Sequence, residues 1–474
     1  MLFNSYVFWL FLGLVLLVYW RLSHRQQNGF LLLASYVFYS AWDWRFLSLI
    51  LLSTAVDYLA SHRIHRSTGP RQRRAWLALS LGTNLGLLGL FKYFDFFVAE
   101  LAALAATAGL QWNLQTLGIV LPVGISFYTF QTLGYTVDVY RRQVAPARSP
   151  LDFALYVAFF PQLVAGPIER SARLLPQMQA PRRWRRGDFA AGLDDVLMGL
   201  FKKVAVADNL APIVNHIFAA PPGSLSAAEV MLGVYAFAIQ IYCDFSGYSS
   251  IARGVARWMG FDLMRNFACP YRARSPQEFW RRWHISLSTW LRDYLYVPLG
   301  GNRGGRLATY RNLLLTMLLG GLWHGAAWTF IVWGALHGGW LGVHRALSAR
   351  PAWVGLRQAA RRLWPLLSVL ATFHLVCLGW LYFRAESTAQ AATMLGRLGS
   401  LAAGEGSFAM SAGVMLAFFA LPLLVYEAWQ FHGGRMVPRL PRHGLAYGSV
   451  LAYALGMLLL FPAPRQNEFI YFQF

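Results

Sequence analysis

Apolar runs long enough to cross a lipid bilayer recur almost from end to end of this 474-residue chain. A bilayer core requires about 20 consecutive apolar residues in a helix, and inside it every backbone amide and carbonyl must be paired within the protein. Helices and closed barrels are the only spanning solutions, and the runs are continuous rather than alternating, which argues against a barrel. Only 13% of residues are charged, too few to cover a soluble surface of this size. The expected fold is all-α and polytopic: a single membrane-embedded domain over 1–474, with a core at 118–345 and flanking spans in 1–98 and 363–462. Spans are expected at 2–20, 28–41, 46–60, 76–98, 118–139, 227–243, 326–344, 363–383, 411–428 and 445–462.

The middle of the chain is less regular. "LYVAFFPQLVAGPIER" (155–170) is broken by Pro161, Gly166 and Pro167, and 244–323 holds short apolar pieces separated by Gly, Pro and Arg. Irregular backbone at membrane depth survives only against protein or a water-filled cavity. Re-entrant segments and tilted helices around a central funnel or tunnel are therefore expected there.

The net charge of +22 falls in bursts between apolar runs. That is the pattern of cytoplasmic loops beside anionic lipid, not of a nucleic-acid surface. Placing the arginine-rich loops inside puts both termini outside. The first run, "MLFNSYVFWLFLGLVLLVYW", lacks a basic residue before it and a small-residue cleavage site, so it reads as a retained span. Cys243, Cys269 and Cys377 have neither metal-ligand nor disulfide spacing, and no metal site is expected.

Two stretches concentrate chemistry. In "SPQEFWRRWHISLSTWLRDYLYVPLGGNRGG" (275–305), Ser275, Pro276 and Glu278 form a helix start. Trp280, Trp283, His284, Leu287 and Trp290 or Leu291 follow at near-helical spacing, with Arg281, Arg282, Arg292 and Asp293 mostly on another face. The plainer reading is an amphipathic anchor at the inner interface. In "GGLWHGAAWTF" (320–330), His324 sits among glycines and tryptophans. A polar side chain at membrane depth is costly and usually faces a cavity or partner, and imidazole transfers protons near neutral pH. Against this stands a buried histidine satisfied by one hydrogen bond, the simpler reading for His337, His344 and His374. Asp57, Asp95, Asp138 and Asp244 are single carboxylates in apolar context; Asp244 suits hydrogen bonding at a cavity wall better than a metal site.

At these residues the chain resembles the membrane-bound O-acyltransferase family, in its alginate O-acetyltransferase branch. The matching pieces are "LPVGISFYTFQTLGYTVDVYR" (121–141), "FFPQLVAGPIER" (159–170), "QIYCDFSGYSSIARG" (240–254), "EFWRRWHISLSTWLRDYLYVPLGGNR" (278–303) and "GGLWHGAAWTF" (320–330), with both chain ends, "MLFNSYVFW" and "NEFIYFQF". The resemblance implies a multi-span enzyme with His324 as its catalytic residue and His284 as the second functional position. Supporting pocket candidates around them are Trp283, Trp290, Trp323, Trp328, Asp244, Arg292, Asp293 and Tyr294. Arg281, Arg282 and Arg303 are candidates for a basic donor entrance. It implies no bound cofactor, an acetyl thioester such as acetyl-CoA as donor, an exported polysaccharide as acceptor, and periplasmic acetyltransferase or secretion proteins as partners. Alginate is the first choice of polymer, with cellulose or peptidoglycan as alternatives. A transporter of sugars or lipids without chemistry is the competing class, because broken helices around a cavity also suit transport.

Overall fold

The computed structural model describes residues 1–110, 115–164, 166–348, 350–401, 406–432, 435–436, 444–463 and 469–470. Apart from a two-residue antiparallel pair, Phe431–His432 with Arg435–Met436, the regular structure of the described residues is helical. Each of the ten expected runs falls on a helix. Among the described residues, Ala227–Trp258, Trp364–Arg384 and Phe408–Gln430 are long and apolar enough to cross a membrane by themselves. Tyr6–Tyr19 and Leu445–Leu460 are shorter apolar helices. The chain divides into two compact units, 1–196 with 252–264, and 197–251 with 265–474.

In the first unit the helices start where the local chemistry allows. Ser5 caps Tyr6–Tyr19 by accepting from the Phe8 amide, and Pro70 opens Pro70–Leu88 at a position whose amide would be unpaired in any case. Ile125–Tyr140 begins seven residues later than the apolar run predicts. The cause is Gly124, whose φ of +79° turns the chain and whose missing side chain leaves room for the Leu163 carbonyl, 2.8 Å from where a Cβ would stand. Asp57 is fully buried, has no cationic partner among the described residues, and is held by side chains from a neighbouring helix. Ser80 Oγ donates to it at 2.5 Å and Asn84 Nδ2 at 2.9 and 3.1 Å. Polar clusters of this kind join helices that cannot rely on hydrophobic burial inside lipid.

Glu169, in the loop ahead of the Ser171–Gln179 helix, accepts from the Met264 amide and is 1% exposed. Burial pushes its carboxyl up to about 7, against the lowering effect of that amide and of Arg173 and Arg253. A carboxyl raised above its ordinary 4.5 favours the folded state when protonated, so it costs stability as pH rises from that value through 7. Glu169→Gln keeps the acceptor for Met264 and removes the charge. The variant in detergent should melt above the wild type at pH 8 and match it below about pH 5. A lower melting temperature at pH 8 would contradict this account.

The second unit corrects two expectations. The run expected to end at 243 continues, so that "CDFSGYSSIARG" lies within the 32-residue helix Ala227–Trp258. The stretch 305–324, expected to be broken, is the regular helix Gly305–His324. Glycines let these helices approach at backbone contact. A Cβ on Gly199 would stand 2.7 Å from the Gly247 carbonyl oxygen, and one on Gly247 2.8 Å from that of Gly199. This contact brings the π-helical turn Phe201–Ala207 against Ala227–Trp258, and Lys203 Nζ reaches Asp244 and Asp208 at 2.7 Å each. Asp244 is therefore not a single carboxylate. It is charge-paired, and its second oxygen accepts the Ile470 amide at 2.7 Å.

Candidate active site

His324 is the last residue of Gly305–His324, at the bend into Trp328–Ser348. The bend is tight because its glycines leave no side chains in the way. A Cβ on Gly321 would meet the Phe330 carbonyl oxygen at 2.2 Å, one on Gly334 the Met317 carbonyl oxygen at 2.3 Å, and one on Gly325 the Phe330 ring at 2.1 Å. The two helices thus close into a hairpin, and the imidazole at its end is 3% exposed. Three rings enclose it edge-on: Trp323 at 4.9 Å, Trp333 at 5.1 Å and Phe383 at 5.3 Å between centroids.

The helix expected to run from Pro276 through Leu291 breaks at the second histidine. Pro276–Arg282 and Ile285–Leu291 are separate seven-residue helices, with His284 between them in the left-handed region at φ +42°. The break has a tertiary cause. In a continuous helix the Ile285 and Ser286 amides would bond to carbonyls four residues back. Instead the Asn266 backbone oxygen takes Ile285 N–H at 2.9 Å, its side-chain Oδ1 takes Ser286 N–H at 3.2 Å, and the Ala268 amide occupies the Arg282 carbonyl at 3.0 Å. A left-handed non-glycine residue costs energy and is found where the surroundings enforce it, often at functional sites. His284 is fully buried, with Phe245 edge-on at 4.7 Å. Trp323 stands 6.1 Å from His284 and 4.9 Å from His324. Two histidines 40 positions apart in sequence thus meet on one indole.

Beside the hairpin lies a cavity of about 800 Å³, walled by the two short helices, the π-helical turn Arg292–Tyr296 and the hairpin itself. Arg281, Arg292 and Arg345 make one part of the wall cationic, with His344 beside them; Trp280 and Tyr296 supply aromatic faces. Trp280 Nε1–H donates to His337 Nδ1 at 3.2 Å, His337 packs on Trp333 at 4.7 Å, and Trp333 packs on His324. The cavity wall is thereby linked to the His324 ring through three aromatic side chains. His337 is the buried, singly hydrogen-bonded histidine expected, whereas His374 is exposed and bonds Tyr235 at 2.7 Å.

The remaining candidates separate. Trp283 is buried against Phe267 and Trp380 within the same aromatic cluster, and Trp290 packs on Tyr294. Arg292 and Asp293 are consecutive, pair with each other at 2.6 Å and are substantially exposed. Arg282 is engaged by Glu278 at 2.6 Å. Trp328 is 53% exposed, and Arg303 is exposed and outside the cavity lining. Asp244 is engaged by Lys203, and its sequence neighbour Phe245 stands edge-on to His284. Sequence reasoning missed Asn266, Trp333 and Phe383, which carry no local motif. It also missed Lys202 and Lys203, although two lysines inside "GLFKKVAV" were a visible signal of a buried ion pair. Lys202 lies 3.8 Å from Glu427, which also accepts from the Tyr242 hydroxyl. Among the described residues no group of His, Cys, Asp and Glu has metal-site geometry.

Residues 143–383 match the membrane-bound O-acyltransferase family. A probable alginate O-acetylase of Pseudomonas putida is 41% identical over the full length of both chains. One from Azotobacter vinelandii is 47% identical over 82% of this chain and 76% of its own. A peptidoglycan O-acetyltransferase of Helicobacter pylori is 38% identical over 83% of this chain and 79% of its own. This polytopic helical membrane protein is an O-acyltransferase and belongs to the membrane-bound O-acyltransferase family.

Proposed function

We propose that the chain moves acetyl groups from a cytoplasmic thioester, acetyl-CoA, to a polysaccharide exported across the bacterial inner membrane, with alginate as the polymer. The observation that carries this reading is the pairing of His284 and His324 on one tryptophan beside a cationic cavity. The names borne by the Pseudomonas and Azotobacter relatives support alginate; the Helicobacter relative keeps peptidoglycan as the second polymer.

In this reading the arginines of the cavity hold the donor's phosphates, a match of guanidinium to phosphate that lysine does not equal. Neutral His324 removes the proton of an acceptor hydroxyl as its oxygen attacks the thioester carbonyl. The carbon–sulfur bond then breaks, and the imidazolium returns the proton to the departing thiolate. The acceptor is the polymer or a hydroxyl of a periplasmic partner protein, and both termini face the periplasm. Transport alone would need neither histidine.

The test uses sealed vesicles of both orientations. Acetyl-CoA should be consumed only when supplied at the cytoplasmic face. Arg281→Ala and Arg345→Ala together should raise KM for acetyl-CoA by about tenfold or more, as expected for loss of two charge-assisted contacts, with little change in kcat. Consumption from the opposite face, or an unchanged KM, would reject this donor path. No thioester turnover from either face would leave transport as the better reading.

A further inference from the structure

We propose that Asn266 is a positioning residue that fixes the tautomer of His284, so that Nε2 is the nitrogen His284 presents for proton transfer. The inference rests on the acyl-transfer reading of this site and adds to it a role for His284, relaying the proton taken up by His324 to the departing thiolate, with the atom used and the residue that selects it.

The hydrogen bonds define which way the amide points. Asn266 Oδ1 accepts Ser286 N–H at 3.2 Å and the Ser286 hydroxyl at 2.9 Å, while Asn266 Nδ2 is turned to Ser249 Oγ at 3.3 Å. A backbone amide only donates, so the atom it meets is the amide oxygen. That same oxygen lies 3.2 Å from His284 Nδ1. The Ser286 hydroxyl also lies 3.4 Å from Nδ1, but its proton goes to Oδ1 at the shorter 2.9 Å. An amide oxygen cannot donate, so Nδ1 carries the proton of its bond to Oδ1, and in a neutral ring the lone pair is then on Nε2. Asn266 is 1% exposed, Ser286 fully buried and Ser249 3% exposed, so water does not compete for these bonds. Histidines that work as ligands or bases are commonly fixed by such a second partner, whose loss costs about 10- to 100-fold.

The same asparagine enforces the helix break that turns the ring. Its backbone oxygen and Oδ1 capture the amides on either side of the left-handed turn. Orientation and tautomer are thus set by one residue, 18 positions upstream and without a motif. Phe245, Phe267 and Trp323 supply aromatic faces around the ring. Within two positions of these contacts in sequence, the ionisable residues are Cys243 and Asp244 beside Phe245, Arg265 and Cys269 beside Asn266 and Phe267, Arg282 before the ring and His324 beside Trp323. Asp244 is engaged by Lys203 and Arg282 by Glu278. Asn266 and Ser286, which meet Nδ1, are neutral, and a charge placed at position 266 would act on the ring directly.

Asn266→Asp keeps the shape and the acceptor, so Nε2 keeps the lone pair, but the new carboxylate stabilises the imidazolium. Asn266→Leu removes the acceptor. Single-turnover acetyl transfer from acetyl-CoA to an oligosaccharide, measured per folded protein across pH, should separate the two. The leucine variant should lose about 10- to 100-fold in kcat with KM nearly unchanged. Added to His284→Ala, it should cost nothing further, because it acts through that ring. The aspartate variant should retain the wild-type rate at high pH while its acid limb moves up by about one unit or more. An unmoved acid limb in the aspartate variant, or a full additional loss in the leucine–alanine double variant, would reduce Asn266 to a packing role. If the leucine variant does not fold, the isosteric aspartate decides alone. His324→Ala separates this result from the reading beneath it. A fully active His324→Ala protein overturns acyl transfer at this site, whereas an inactive one with unaffected Asn266 variants overturns only the present inference.

Discussion

His324→Ala is expected to lower acetyl transfer by a factor of about 10² to 10⁴, the usual contribution of a positioned acid–base group, while the protein remains folded and inserted. The imidazole sits at the end of a hairpin closed by glycine contacts that do not involve its side chain. The three rings around it also pack on one another and on neighbours, as Trp333 does on Phe383 and Trp380. Removing the ring leaves a void in a cluster that retains its other contacts, a modest cost in stability compared with the loss of chemistry. Acetyl-CoA consumption and acetyl content of the polymer should fall together, and transfer by the wild type should weaken on the acid side, because an imidazolium cannot accept a proton. Wild-type acetylation in the alanine variant would end the assignment.

Lys203→Met should be the most destabilising single change outside the site. Lys203, Asp208 and Asp244 are all between 1% and 3% exposed, and the ammonium is 2.7 Å from both carboxylates. Taking away the cation leaves two buried carboxylates facing each other without compensation, a penalty of about 3–5 kcal/mol for breaking a buried pair. Asp244 also holds the Ile470 amide, so the loss should weaken that hydrogen bond as well. The check is thermal unfolding in detergent. Combining Lys203→Met with Asp208→Asn and Asp244→Asn should recover much of the stability, because neutral amides need no counter-charge. A single variant as stable as the wild type, or a triple variant no better than the single, would mean the cluster is not what holds this region.

Helix positions and membrane character were legible in the residues because hydrophobic length is a local property: a run of apolar side chains in lipid has only its own backbone to bond with. His324 and His284 were legible as candidates for a related reason, since an ionisable group in such a run must be compensated by something. The periodicity of 276–291 nevertheless pointed to one helix, and the chain forms two. Periodicity records which face is apolar; it cannot record that Asn266 and Ala268 would take the hydrogen bonds that continuity needs. Asp244 looked solitary because its partner lies 41 positions away, brought close by a glycine-to-glycine contact that leaves no mark in composition. The same holds for Trp323: beside His324 in sequence, it meets His284 only where the hairpin lies against the two short helices. Local sequence sets the intrinsic bonding and burial of each segment. Which distant donor, acceptor or ring completes it is settled by tertiary packing, where a close contact competes directly with the helix's own hydrogen bonds.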